Sequence, residues 1–335
     1  MQEIIVAPHQ ANQRLDKLLQ KLLPGAERGF LFKMLRKKNI TLNGKKAQGN
    51  ETVFLEDRIQ FYFSEETFRK FGGRQDSYRA QNALRPYLEA YAALKDIAVI
   101  YEDLNIMICN KPAGVLSQKA KENDMSVNEW LIGYLLRTKQ IDSEILASFK
   151  PSVCNRLDRN TSGLMLLGKT LSGSQHLSQW IKGRNIRKFY RLFALGKVTE
   201  PFHVRGYLTK DEKTNRVSVS DRPVTGGEFI ETKCTPLKVY GDISYLEVEL
   251  ITGKPHQIRA HLSGLGHPLI GDYKYGRREI NETFRRAFGV ESQLLHAYRL
   301  EFPSVEDEEY SDLSRAVFFA PEPEVFDRIR RTYKV

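Results

Sequence analysis

Four apolar residues in a row, Leu164-Met165-Leu166-Leu167, follow the polar octet Arg156-Leu157-Asp158-Arg159-Asn160-Thr161-Ser162-Gly163. A short apolar run entered through turn residues reads as a buried strand, and the chain around it has to pack against that strand. The octet at its entry sets one carboxylate among two arginines, small hydroxyls and a glycine. Nearby positive charge favours an ionised carboxylate. Asp158 therefore reads as a reactive group or as half of a structural ion pair, and the octet alone does not choose between them.

The 335 residues leave room for about two domains. Residues 1–63 read as a small unit. Leu15, Leu18, Leu19 and Leu22 recur at helical spacing, and Pro24-Gly25 ends that helix. A second helix is expected over 30–35. Ile40-Thr41-Leu42 alternates like a strand, Asn43-Gly44 signals a hairpin turn, and a further strand is expected over 57–63. Residues 64–92 read as a linker, polar and turn-prone over 64–77. A short helix over 80–95 is expected to pack on the second domain.

From 93 to 335 the chain reads as one large domain. Strands are expected over 97–101 and 106–109. Ser126-Val127-Asn128-Glu129 forms a capping-box pattern, and Val127, Trp130, Leu131, Tyr134 and Leu135 share one face of the helix behind it. Over 237–252 two strands meet at Gly241-Asp242. In the second, Leu246, Val248 and Leu250 face one way and Tyr245, Glu247 and Glu249 the other. There is no regular strand–helix alternation of a doubly wound sheet, so the class is α+β.

The net charge is +11. From Gln13 to Phe63 there are 11 Lys or Arg against 5 Asp or Glu, so more than half of the surplus sits on the small unit. Cations gathered on one compact unit point to a polyanionic partner. The 3 cysteines, Cys109, Cys154 and Cys234, lie far apart and in no metal-ligand spacing. They read as small core residues in a reducing compartment. His256 and His261 are not spaced as a helical metal pair. No run approaches the ~18 apolar residues of a membrane span, and the first residues lack the pattern of a secretory signal. The expectation is a cytoplasmic protein, monomeric, with no membrane partner and no bound metal.

The octet resembles the Arg-Leu-Asp-x-x-Thr-Ser-Gly signature of the RluA-type pseudouridine synthases, enzymes that isomerise uridine in RNA. Three further segments resemble that family's landmarks, in its order. They are Asn110-Lys111-Pro112-Ala113-Gly114-Val115 behind Glu102-Asp103; Arg187-Lys188-Phe189-Tyr190-Arg191; and Thr252-Gly253-Lys254-Pro255-His256-Gln257-Ile258-Arg259-Ala260-His261-Leu262. The last continues into Gly271-Asp272-Tyr273-Lys274-Tyr275-Gly276, and the tail carries Leu295-His296-Ala297-Tyr298-Arg299. Asn155 stands where the family usually has histidine, and Lys254 where it usually has arginine. The small unit is similar to the S4 RNA-binding module through Gln13-Arg14-Leu15-Asp16-Lys17-Leu18-Leu19 and Ile40-Thr41-Leu42-Asn43-Gly44-Lys45. Glu56-Asp57 replaces that module's common Gly-Asp.

The resemblance implies a pseudouridine synthase fold with a mixed, largely antiparallel sheet, and an enzyme without a cofactor. It makes Asp158 the catalytic carboxylate and Arg259 the cation paired with it. Tyr190 would pack on the target base and is a candidate to move a sugar proton. Arg156 would help draw the nucleotide out of its stack. Lys111 and Lys254 are expected to contact phosphates, His256 and Gln257 to position RNA, and Thr161 to shape the loop. On the S4-like unit, Arg36, Lys37, Lys38 and Lys45 are expected to contact RNA. A carboxylate can attack the sugar or stabilise a developing sugar cation, and both routes stay open. Large-subunit ribosomal RNA is the expected substrate, with transfer RNA second. The rival reading is a ribosome-associated RNA-binding protein without catalysis. Asn155 and Lys254 speak for it; the joint presence of Asp158, Tyr190 and Arg259 speaks against it. Turnover separates the two.

Overall fold

The computed structural model describes residues 1–72, 77–211, 213–214 and 216–333. The chain begins with β1 (Gln2–Ile5), β2 (Gln13–Arg14), α1 (Leu15–Leu22), α2 (Arg28–Arg36), β3 (Ile40–Leu42), β4 (Lys45–Lys46), β5 (Thr52–Val53) and β6 (Arg58–Phe61). Leu15, Leu18 and Leu19 of α1 and Leu31 and Leu35 of α2 bury against Ile40, Ile59 and Phe61 of a sheet ordered β1-β6-β3-β4. The expected Asn43-Gly44 turn forms with φ of 51° and 71°, the two positive values that a tight hairpin of this type needs. Asn43 also braces the neighbouring turn. Its Nδ2 donates to Asp57 Oδ1 at 2.7 Å, and its Oδ1 accepts from the Arg58 N–H at 2.8 Å. Between these contacts Glu56 adopts φ 67°, the left-handed region that favours glycine.

The segment expected to be a linker carries α3 (Glu65–Gly72) and α4 (Ser77–Ala93). Residues 73–76 of its turn-prone stretch lie outside the described residues. Phe68 and Phe71 tie α3 into the first core, with ring centroids 5.1 Å from Phe61 and 4.6 Å from Phe30. Helix α4 covers most of the helix expected over 80–95 and packs on the second domain, with Tyr91 6.3 Å from Trp130 and 6.0 Å from Tyr134. Helix α3 is not among the expected elements, its few apolar contacts being too sparse to mark a helix.

The large sheet is built from β7 (Ala98–Glu102), β8 (Ile106–Lys111), β9 (Ser152–Val153), β10 (Ser162–Gly168), β11 (Arg187–Leu195), β12 (Phe202–Asp211), β13 (Arg216–Ser220), β14 (Glu228–Tyr240), β15 (Ile243–Leu250), β16 (Leu295–Glu301) and β17 (Val317–Phe319). Around it lie α5 (Val127–Arg137), α6 (Ser143–Ser148), α7 (Leu171–Lys182), α8 (Gln257–Gly264), α9 (Arg278–Phe288) and α10 (Glu324–Thr332). Its order is β13-β12-β14-β15-β11-β16-β10-β8-β7, with β17 beside β16 and β9 beside β10. The sheet is mixed and mostly antiparallel, as expected. The parallel pair is β10 with β16.

Every residue of β10 is buried. Leu164 and Leu166 enter the core on the α7 side, while Met165 and Leu167 enter the one on the α5 and α8 side. That two-sided burial is why the strand reads as an unbroken apolar run rather than an alternating one. At its start, Gly163 (φ 112°) lies so close to β16 that a Cβ would stand 2.2 Å from the Ala297 carbonyl oxygen. On the next strand pair, Leu246 and Val248 face the α5 and α8 core while Tyr245 is buried on the opposite face, stacked on Phe193 at 5.0 Å. Helix α5 starts at Val127 as its sequence pattern predicts. Its cap differs in detail, because Ser126 Oγ accepts from the Asn128 N–H and donates to the Glu129 carboxylate. Trp130 is buried and Tyr134 half-buried, its hydroxyl donating to Glu102 Oε2 at 2.7 Å. Among the described residues no helix is long and apolar enough to cross a membrane.

Glu56 generates a stability prediction. A left-handed residue with a Cβ costs roughly 1–2 kcal/mol, partly offset by the stiffer unfolded chain. Glu56→Gly should raise stability by about 0.5–1 kcal/mol, read as a higher urea midpoint at unchanged slope.

Candidate active site

Asp158 stands on the loop that leads into β10, and the loop is latched to the segment after β8. Ser117 Oγ donates to the Leu157 carbonyl at 2.7 Å and accepts from the Leu157 N–H at 3.0 Å. The Gly114 N–H donates to the Arg159 carbonyl at 3.0 Å, and Arg159 Nε donates back to the Gly114 carbonyl at 3.0 Å. Within the loop, the Thr161 N–H donates to the Asp158 carbonyl at 3.0 Å. Asn155 Oδ1 accepts from the Leu166 N–H at 2.8 Å, a side chain standing in for a strand partner on β10. The departure at Asn155 thus has a structural job of its own.

The carboxylate itself is half-exposed and oriented by α8. Arg259 Nη1 donates to Asp158 Oδ2 at 2.8 Å. The rest of that guanidinium is spent on Asp272, with Nε to Oδ2 at 2.7 Å and Nη2 to Oδ1 at 3.0 Å. Asp272 is fully buried. Burial opposes its charge, but the hydrogen bonds and charge of Arg259 outweigh that, and its carboxyl is held below the usual range. Arg259 is likewise pushed up: burial works against it, and the hydrogen bonds and charge of Asp272, then of Asp158, prevail. The Lys274 and Tyr275 N–H groups donate to Asp272 Oδ1 at 2.9 and 3.0 Å, so the buried carboxylate is well satisfied. Asp158 Oδ1 accepts no hydrogen bond from the described residues. One oxygen is tied and the other is open.

Tyr190 lies in β11, its ring buried in the core beside this site. Its hydroxyl has no hydrogen-bond partner among the described residues, yet it is not sealed from solvent. Burial, then the nearby charge of Asp158, raises its pKa well above the ordinary tyrosine value. Arg156 is exposed and unpartnered among the described residues. His256 approaches with Nε2 at 4.0 Å from Asp158 Oδ2. The structure thus gathers Asp158, Arg259 and Tyr190, with His256 at their edge.

Two of the expected RNA contacts do not stand. Lys111 does not reach a phosphate: it is fully buried, and its Nζ donates to the carbonyls of Pro112 (3.0 Å), Val115 (2.9 Å) and Arg159 (2.9 Å). Burial lowers its pKa to about 7, and the loop carbonyls take up all its donors. Gln257 is also buried and satisfied by protein, with Oε1 accepting from Thr252 Oγ1 at 2.9 Å and Nε2 donating to the Glu231 carbonyl at 3.0 Å. Thr161 is buried in the loop, its Oγ1 accepting from Gln293 Nε2 at 3.4 Å. Lys254 is partly exposed and paired with Glu228. Among the described residues, no cluster of His, Cys, Asp or Glu is placed to hold a metal ion.

Sequence reasoning missed Asp272 and Tyr275 as site residues. The signal was present: a carboxylate directly behind the apolar Pro268-Leu269-Ile270-Gly271 has to find a buried cation. Asp272→Asn should strand Arg259 in the interior opposite a single, half-exposed carboxylate. The expected loss is about 3–5 kcal/mol, measured by urea unfolding, and a loss under roughly 1 kcal/mol would remove Asp272 as the anchor.

Comparison with known proteins places this geometry. Residues 105–264 match the family described as RNA pseudouridylate synthase. The chain is 30% identical over 325 residues to an uncharacterised RNA pseudouridine synthase of Mycoplasma genitalium, covering 93% of this chain and 92% of that one. It is 26% identical over 306 residues to the ribosomal large subunit pseudouridine synthase C of Salmonella typhimurium, covering 89% and 88%. The solved structure of human RNA pseudouridylate synthase domain containing 4 superposes with a TM-score of 0.55 at 19% identity, over 74% of this chain and 98% of that one, which shows the shared fold. A polar octet that seats a carboxylate at the entry to a doubly buried strand, an arginine bridging it to the interior, and relatives of one kind matched over most of their length lead to the same conclusion: the chain belongs to the RNA pseudouridine synthases.

Proposed function

We propose that this enzyme converts uridine to pseudouridine in RNA of the large ribosomal subunit, with Asp158 as the reacting carboxylate. The observation that carries the reading is the state of that group: Oδ2 accepts from Arg259 and Oδ1 is open. An anionic oxygen so placed can attack the sugar at C1′ or stabilise the sugar cation as the N–C bond breaks. The base then turns, rejoins C1′ through C5 and releases the C5 hydrogen as a proton. No redox step enters, so the chemistry needs no cofactor. Tyr190 supplies a buried ring with an unpartnered hydroxyl, suited to pack on the base and to handle a sugar proton. Arg156, exposed and unpaired, suits extrusion of the nucleotide.

Residues 1–63 form the S4-like RNA-binding domain in this reading, 64–92 join it to the remainder, and 93–335 form the catalytic domain. Arg36, Lys37, Lys38 and Lys45 are all exposed and outside any ion pair among the described residues, which suits phosphate contact. The ribosomal choice rests on relatives named for the large subunit, such as that of Salmonella typhimurium. Transfer RNA is the second candidate.

Tritium release from RNA labelled at C5 of uridine tests the reading without knowledge of the target site. Wild type should release tritium from unmodified large-subunit ribosomal RNA and not from transfer RNA. Asp158→Ala should lower the rate by at least about 10⁴-fold, over 5 kcal/mol of barrier, while RNA binding persists. Release by the alanine variant at a comparable rate would dismiss Asp158; release from transfer RNA alone would move the substrate.

A further inference from the structure

Tyr275 is joined to three parts of the site. Its backbone N–H donates to the buried Asp272. Its ring packs beneath the β12–β13 hairpin, among Leu208, Val217 and Ile230. Its hydroxyl oxygen lies 2.9 Å from the Val217 nitrogen on β13 and 2.9 Å from His256 Nδ1. On the far side of that imidazole, Nε2 stands 4.0 Å from Asp158 Oδ2. A line of contacts therefore runs from the hairpin backbone through Tyr275 and His256 to the reacting carboxylate.

One set of hydrogen positions gives every donor along this line a partner within the protein. The Val217 N–H can only donate, so the Tyr275 oxygen accepts from it. The hydroxyl hydrogen then needs an acceptor, and among the described residues the one in reach is His256 Nδ1. An imidazole that accepts at Nδ1 carries its hydrogen on Nε2. That hydrogen points towards Asp158 Oδ2, where a lone pair would be repelled. Burial, then the opposing pulls of Asp158 and Arg259, with Lys274 and Asp272 beyond them, holds the pKa of the ring below the ordinary value, which favours its neutral form. His256 holds this place at φ 53°, a left-handed conformation that a residue with a Cβ takes at a cost.

We propose that Tyr275 is a positioning residue that locks His256 in its Nε2–H tautomer and so couples the β12–β13 hairpin to Asp158. The lock turns an N–H dipole towards Oδ2 from 4.0 Å, beyond hydrogen-bond length, beside the Arg259 donor, and leaves Oδ1 as the oxygen that meets the sugar. It also lets the seating of the hairpin, whose Arg216 guanidinium donates to the Lys274 carbonyl and lies 5.6 Å from the Tyr275 ring, be felt at the carboxylate. The inference rests on the assignment of Asp158 as the reacting group only in its kinetic part.

The test has two arms. Long-range ¹H–¹⁵N NMR of the full chain with labelled histidine reads the tautomer directly, with no substrate. Wild-type His256 should show a protonated Nε2 and an unprotonated Nδ1, and Tyr275→Phe should lose that single form. In the second arm, Tyr275→Phe should lower kcat for uridine isomerisation about tenfold with KM for RNA within roughly twofold. A wild-type His256 protonated at Nδ1 overturns the proposal whatever the variant does. So does a Tyr275→Phe protein, folded by its NMR spectrum, that keeps kcat. If wild type shows no isomerisation at all, the functional assignment fails while the tautomer arm still decides the lock.

Discussion

The buried pair of Arg259 and Asp272 is the constraint on which the site depends. Two charges taken out of water are costly unless each is fully matched, and a lone buried charge is worse. Here a forked guanidinium meets a carboxylate with two donors, and two backbone N–H groups complete that carboxylate. The remaining Nη1 of Arg259 is thereby aimed outward at a fixed point, and Asp158 is held there. The interior pair sets direction; the exposed pair supplies a charged oxygen facing solvent. A surface salt bridge alone contributes ~0–1 kcal/mol and would orient little.

The other half of the site is the loop that presents Asp158. Its latches are mostly backbone groups and short side chains: Ser117 on Leu157, Gly114 on Arg159, and Lys111 beneath them gathering three carbonyls. Gly163 permits the close parallel approach of β16 that anchors the loop's far end. Beside it Ser162 Oγ meets His296 Nδ1 at 2.9 Å, and burial lowers the pKa of that histidine to about 4. A neutral His296 accepts there from the Ser162 hydroxyl and donates from Nε2 to the Ala320 carbonyl. The loop is thus rigid for reasons separate from the charge it carries.

Much of this architecture is legible in the sequence. The apolar run of β10, the Asn43-Gly44 turn and the start of α5 arise from local periodicity and turn chemistry, which a sequence displays directly. Asp158, Tyr190 and Arg259 are read from a resemblance of motifs, and the structure brings them together. Partnership between distant segments is the part that stays hidden. Lys111 reads as an exposed cation because nothing local says that three carbonyls close over it. Gln257 reads as an RNA contact for the same reason. Helix α3 escapes notice as an element because it rests on its neighbours through a few side chains, such as Phe68 and Phe71, whereas the apolar residues over 80–95 already announce most of α4. Asp272 sits within a matched motif without a role, since its burial depends on α8.

The central claim is that one guanidinium, gripped from inside, orients the carboxylate that reacts. Arg259→Lys tests it most directly, because lysine keeps the charge but cannot bridge two carboxylates in fixed geometry. Single-turnover isomerisation by the folded variant should slow by roughly 100-fold, about 2.7 kcal/mol of barrier. A rate within about threefold of wild type would show that charge alone suffices, and would contradict the account.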